Sequence, residues 1–126
     1  MPVFERIAIL GVGLIGASIA RAAKTESATG SIAIYDANAE VRARAKELGL
    51  GEVFESAAEA TASADLIVLA APVGAMSVAM QEAAAGVKPG AIITDVGSVK
   101  RAVVEAIKAH APAHAFIVPG HPIAGT

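Results

Sequence analysis

The run Gly11-Val12-Gly13-Leu14-Ile15-Gly16 follows an apolar stretch and opens a segment of helical period, the setting in which glycines at this spacing can hold a phosphate. Gly11 permits a tight turn, Gly13 lets the backbone approach a diphosphate, and Gly16 allows a helix to pack closely on a strand. The free N–H groups around Leu14 and Ile15, with the positive pole of the helix, would then face the anion. Asp36 stands twenty positions after Gly16, at the end of a second apolar run. Its carboxylate can accept hydrogen bonds from the adenosine ribose hydroxyls, and it selects NAD over NADP because a 2′-phosphate would be repelled. Arg42 and Arg44, a little downstream, could soften that selection. Each feature has a plainer reading: glycine turns between strand and helix are common for steric reasons, and an aspartate after a strand often makes an Asx turn. Turn and carboxylate together, at this spacing, make NAD the expected cofactor.

Two further motifs end later apolar runs: Asp95-Val96-Gly97-Ser98-Val99-Lys100 and Gly120-His121-Pro122-Ile123-Ala124-Gly125-Thr126. An imidazole exchanges a proton near neutral pH, and Pro119 and Pro122 stiffen the loop that carries His121. The plainer reading of His121 is a loop histidine held by a structural hydrogen bond. Ser98 precedes a helical segment and is of the type that caps one. Lys100 and Arg101 put cations into a first helical turn, against the macrodipole, which hints at a visiting anion; solvent-exposed charge is the plainer account of Arg101. Asp95 could order its loop through an Asx turn. His110 and His114 flank Pro112 at a helix end and read as surface residues.

These residues need a scaffold that brings loops to one edge. Ile- and Val-rich runs at 6–10, 31–35, 52–54, 66–70, 91–94 and 115–118 read as strands. Between them lie helical segments starting near Leu14, Asn38, Ser56, Val73 and Val99. The alternation predicts an α/β fold: a doubly wound (Rossmann) parallel sheet of about six strands with helices on both faces, as one domain over residues 1–126. Hydrophobic residues make up 55% of the chain and aromatics 3%, a palette suited to a sheet buried on both sides. The many alanines read as helix propensity and small-residue packing. A formal net charge of -2 without a basic run leaves no footprint for nucleic acid. The chain has no cysteine, so disulfides and thiolate ligands are excluded, and no metal site is expected. Mean hydropathy is +0.60. The longest apolar stretch, 66–80, is shorter than the ~20 residues a bilayer requires and is broken at Pro72 and Gly74. No membrane association or signal peptide is expected, and a cytoplasmic location follows.

Together with Ala71-Pro72-Val73-Gly74, the glycine turn and the two late motifs resemble the prephenate and arogenate (cyclohexadienyl) dehydrogenase family over essentially the whole chain. The resemblance implies NAD-dependent oxidative decarboxylation of prephenate or arogenate in tyrosine biosynthesis. It implies that His121 draws off the ring hydroxyl proton, that Ser98 hydrogen-bonds near that hydroxyl and the nicotinamide, and that Ala71, Pro72 and Val73 line the cofactor. In the family an all-helical domain follows, completes the substrate site and makes a homodimer; residues 1–126 are expected to lack it. The competing expectation is an NAD-binding module without catalytic activity of its own. A hydroxyacid dehydrogenase of the 3-hydroxyisobutyrate type would share the glycine turn but leaves the motif around His121 unexplained.

Overall fold

Aliphatic runs form the strands β1 (Phe4–Leu10), β2 (Thr29–Tyr35), β3 (Glu52–Val53), β4 (Leu66–Leu69), β5 (Ile92–Asp95) and β6 (Phe116–Ile117). The computed structural model describes residues 4–11, 14–25, 29–70, 73–95, 112–113 and 115–117. All six strands are parallel and lie in the order β3-β2-β1-β4-β5-β6. That is the doubly wound order, with its switch point between β1 and β4. The expected six-stranded Rossmann sheet is therefore the observed one.

Both faces of the sheet are covered, which is why successive residues of β1, from Ile7 to Leu10, are all buried. Ile7 and Ile9 join Ile32 and Ile34 beneath helices α1 (Leu14–Thr25) and α2 (Ala39–Glu47). Ala8 and Leu10 join Ile67, Leu69 and Ile93 beneath α3 (Ala57–Thr61) and α4 (Val73–Ala83). The helices meet the sheet largely through alanines: Ala20, Ala23 and Ala45 on one face, Ala57, Ala60 and Ala83 on the other.

Local chemistry explains the boundaries. The side chain of Asn38 accepts from the N–H groups of Glu40 and Val41 and starts α2. Gly49, at φ 64, ends it: its N–H donates to Lys46 and that of Leu50 to Ala45, a Schellman closure. Ser56 starts α3 in a capping box with Glu59, accepting from the Glu59 N–H at 3.1 Å and donating to its carboxylate at 3.0 Å. β5 begins one residue later than expected and ends one later. Ala91 closes a turn onto the Lys88 carbonyl through Pro89 and Gly90 (φ 84), so pairing begins at Ile92. A short 3-10 turn, Ala84–Gly86, extends α4; it had no counterpart in the sequence reading. There Thr61 is buried, and its hydroxyl lies within hydrogen-bond reach of the carbonyls of Ala57 and Ala83. The helix expected from Val99 lies outside the described residues, as does Val118 at the end of the last expected strand.

The N-terminal edge of the sheet is fastened by Asp65. Its carboxylate accepts from the N–H groups of Glu5 (3.0 Å) and Arg6 (3.1 Å) and from the Lys88 ammonium. The Lys88 hydrogen bond above all, with those backbone donors, holds this carboxyl below its ordinary range against the opposing cost of partial burial.

Candidate functional site

The C-terminal edge is where loops gather in an open parallel sheet. Strand register places Tyr35, Leu10, Leu69 and Asp95 in one row across β2, β1, β4 and β5. The next residues, Asp36 and Gly11, therefore stand side by side on adjacent strand ends, one ~4.8 Å strand spacing apart. Backbone bonds continue the ladder: the Gly11 N–H donates to Tyr35 and the Ala70 N–H to Leu10, both at 2.8 Å.

Gly11 takes φ 95, a conformation that costs an L-residue dearly and glycine little. The chain turns there and enters α1 at Leu14. Gly16, in the first turns of that helix, lies so close to the strand end that a Cβ would sit 2.3 Å from the Gly11 carbonyl oxygen and 3.5 Å from the Ala70 Cβ. Glycine is thus required by two different mechanisms at the two positions, backbone rotation at Gly11 and close approach at Gly16. The first turn of α1 carries no acidic residue of its own to offset the positive pole of the helix. Of the other expected cofactor contacts, Leu14, Ile15 and Val73 open α1 and α4 at this same edge. Gly13, Ala71 and Pro72 lie outside the described residues, as do Ser98, His121, His110, His114, Lys100 and Arg101.

Asp36 is partly buried, and its Oδ1 accepts from the Asn38 N–H at 2.9 Å. The Asx turn is therefore real, and it fixes the carboxylate beside the Gly11 turn. The two arginines diverge. Arg42 donates through Nη1 to the Asp36 carbonyl at 2.8 Å and lies 5.7 Å from the centre of the Tyr35 ring. Arg44 points to solvent and pairs with Glu47 at 3.4 Å. Helix phase could have separated them, since residues two apart face about 200° away from each other.

Asp95 departs from expectation. It is not a loop residue but the last residue of β5, 1% exposed, on the same face as Ile93. A carboxylate at the end of a strand resembles the start of a loop in sequence. Its burial depends on neighbours supplied by other segments.

Residues 19–126 match the family described as prephenate dehydrogenase, nucleotide-binding domain. The chain belongs to that family. As a prephenate dehydrogenase nucleotide-binding domain, it is 43% identical to the cyclohexadienyl dehydrogenase of Zymomonas mobilis, over 100% of this chain and 43% of that protein. That alignment takes in the glycine turn, which precedes the family match. The prephenate dehydrogenase of Bacillus subtilis is 34% identical over 97% of this chain and 33% of its own length. Among solved structures, the prephenate dehydrogenase of A. aeolicus, in complex with hydroxyphenyl propionate and NAD+, superposes with a TM-score of 0.83 at 32% identity, covering 97% of this chain and 43% of that one. The chain thus spans less than half the length of these relatives. Among the described residues no helix is long and apolar enough to cross a membrane.

Proposed function

We propose that this chain is the cofactor domain of an NAD-dependent dehydrogenase that oxidatively decarboxylates prephenate or arogenate to 4-hydroxyphenylpyruvate or tyrosine. The observation that carries the reading is the pairing of the Gly11 turn with the Asp36 carboxylate on neighbouring strand ends at the switch point of the sheet. These residues fit a dinucleotide. The close seat of Gly16 against Gly11 and Ala70 tucks the start of α1 onto the strand end, and that first turn carries no carboxylate to repel a diphosphate. Gly11, Gly13 and Gly16, with the backbone at Leu14 and Ile15, would hold the diphosphate; Asp36 would accept from the ribose hydroxyls, and Ala71, Pro72 and Val73 would flank the nicotinamide side.

Bound NAD supplies a hydride acceptor. The remaining work falls to this chain and its substrate. His121 takes the proton of the ring hydroxyl as hydride departs from the carbon that bears it, and Ser98 hydrogen-bonds to that hydroxyl and holds it in line. The bond to the ring carboxylate then breaks, carbon dioxide leaves, its electron pair completes the aromatic ring, and the proton held by His121 returns to the phenolate oxygen. A base whose ordinary pKa is near 6.5 contributes ~10²- to 10⁴-fold at neutral pH.

A second reading is favoured by the fraction of the relatives that the chain spans, 43% of the Zymomonas protein. On it, the chain binds NAD without turning over substrate, the catalytic site being completed by a helical domain that also makes a homodimer in the cytoplasm. Calorimetric titration with NAD and NADP, followed by assay with prephenate and NAD, distinguishes the two. NAD binding with turnover supports the first reading, and NAD binding without turnover the second. NADP binding tighter than NAD would overturn the role given to Asp36.

A further inference from the structure

Arg42 belongs to α2, whose Val41 and Ala45 pack on the face of the sheet shared with α1. Its guanidinium nevertheless lies over the ring of Tyr35, which packs with the cluster on the opposite face. One side chain satisfies both conditions by crossing the C-terminal end of β2, and its hydrogen bond to the Asp36 carbonyl lies at that crossing. The strand end that carries the Asp36 carboxylate therefore also carries a held cation. A guanidinium has five N–H donors, of which the bond to the Asp36 carbonyl uses one.

In a dinucleotide seated on the Gly11 turn, the adenosine ribose falls at this strand end. A 2′-hydroxyl would be served by Asp36. A 2′-phosphate would be repelled by that carboxylate and attracted by Arg42, whose planar fork suits phosphate and whose geometry is already restricted by the carbonyl and the Tyr35 ring. We propose that Arg42 is a specificity-determining residue through which this chain accepts NADP as well as NAD. The proposal rests on reading the glycine turn as a dinucleotide site.

The test is calorimetric titration of the protein and its Arg42→Met, Arg42→Lys and Arg44→Met variants with NAD and with NADP, each variant first shown to be folded by circular dichroism. The wild type is expected to bind both nucleotides, NAD more tightly. Arg42→Met should weaken NADP by roughly tenfold or more, the scale of one charge-assisted hydrogen bond, and NAD by less than about threefold. Arg42→Lys keeps the charge without the fork and should fall between wild type and Arg42→Met for NADP. Arg44→Met should leave both affinities unchanged. Equal losses of NAD and NADP in Arg42→Met would reduce Arg42 to a brace between β2 and α2 and overturn the proposal. So would an unchanged NADP affinity, or a wild type that binds NAD but not NADP. A wild type that binds neither nucleotide would overturn the dinucleotide reading itself, and this proposal with it.

Discussion

Replacing Gly16 by alanine puts the contact between α1 and the end of β1 to a direct test. The added Cβ would stand 2.3 Å from the Gly11 carbonyl oxygen and 3.3 Å from its carbonyl carbon. Optimal contact between heavy atoms is ~3.5 Å, so the helix start and the turn must part by about 1 Å. The atoms in the way are backbone, and no side-chain rotation relieves them. Overpacking of this kind costs ~1–3 kcal/mol, against which alanine returns up to ~1 kcal/mol of helix propensity. The net should be a loss of about 1–2 kcal/mol, or roughly 4–8 °C in Tm for a domain of this size. A shift of about 1 Å also takes the turn N–H groups out of hydrogen-bonding range of a diphosphate, so NAD affinity should fall ~10- to 100-fold. Gly90→Ala is the control. That residue has φ 84 with nothing within 4 Å of an added Cβ, so it should lose ~1 kcal/mol to backbone strain. It lies in the turn before β5, at the other edge, and its NAD affinity should not change. Thermal melts and calorimetry read both quantities. A Gly16→Ala variant that binds NAD within about twofold of wild type would refute the placement of the diphosphate on this turn.

Asp65→Asn should cost about 1–2 kcal/mol at neutral pH, since the Lys88 ammonium loses its anionic partner while an amide oxygen can still accept from the Arg6 or Glu5 N–H. The folded-state pKa of Asp65 lies below its ordinary 3.8, so the stabilisation is complete above that value and fades as pH falls through it toward the lower folded value. Urea melts of wild type and variant should therefore converge at acid pH, and a gap that persists there would contradict the assignment. Thr61→Val removes a buried hydroxyl of similar volume and should lower stability by about 1 kcal/mol in denaturant titrations, with NAD binding untouched. In protein that turns over prephenate, His121→Asn should leave NAD affinity intact and reduce kcat by ~10²- to 10⁴-fold; unchanged turnover would remove His121 from the mechanism.

Much of the scaffold was legible because its signals are local. Asn38 and Ser56 announce helix starts through side chains that reach their own backbone. The glycine spacing puts Gly11 and Gly16 at the junction of β1 and α1, where the structure has them. What escaped is non-local. Lys88 lies 23 residues from Asp65, and nothing near either residue in sequence marks the other. Gly86 is needed because α3 comes so close that a Cβ would stand 2.0 Å from the Ala58 carbonyl oxygen, an approach decided by packing. Nothing local marks Asp95 as buried, since a carboxylate ordinarily avoids the interior. The two arginines of α2 are alike in residue type and two positions apart, yet helix phase sends one over the strand end and the other to solvent.

The alanines through which the helices meet the sheet set a limit on how this domain can change. Where methyl groups define the gap between layers, a larger residue at Ala20, Ala60 or Ala83, each 0% exposed, would overpack the contact between helix and sheet. Variation among related domains should accordingly concentrate in the aliphatic side chains of the strands, where Ile, Val and Leu can trade volume with one another. The helix-facing positions should stay small, and the distance between layers, hence the height of the glycine turn above the sheet edge, should drift very little.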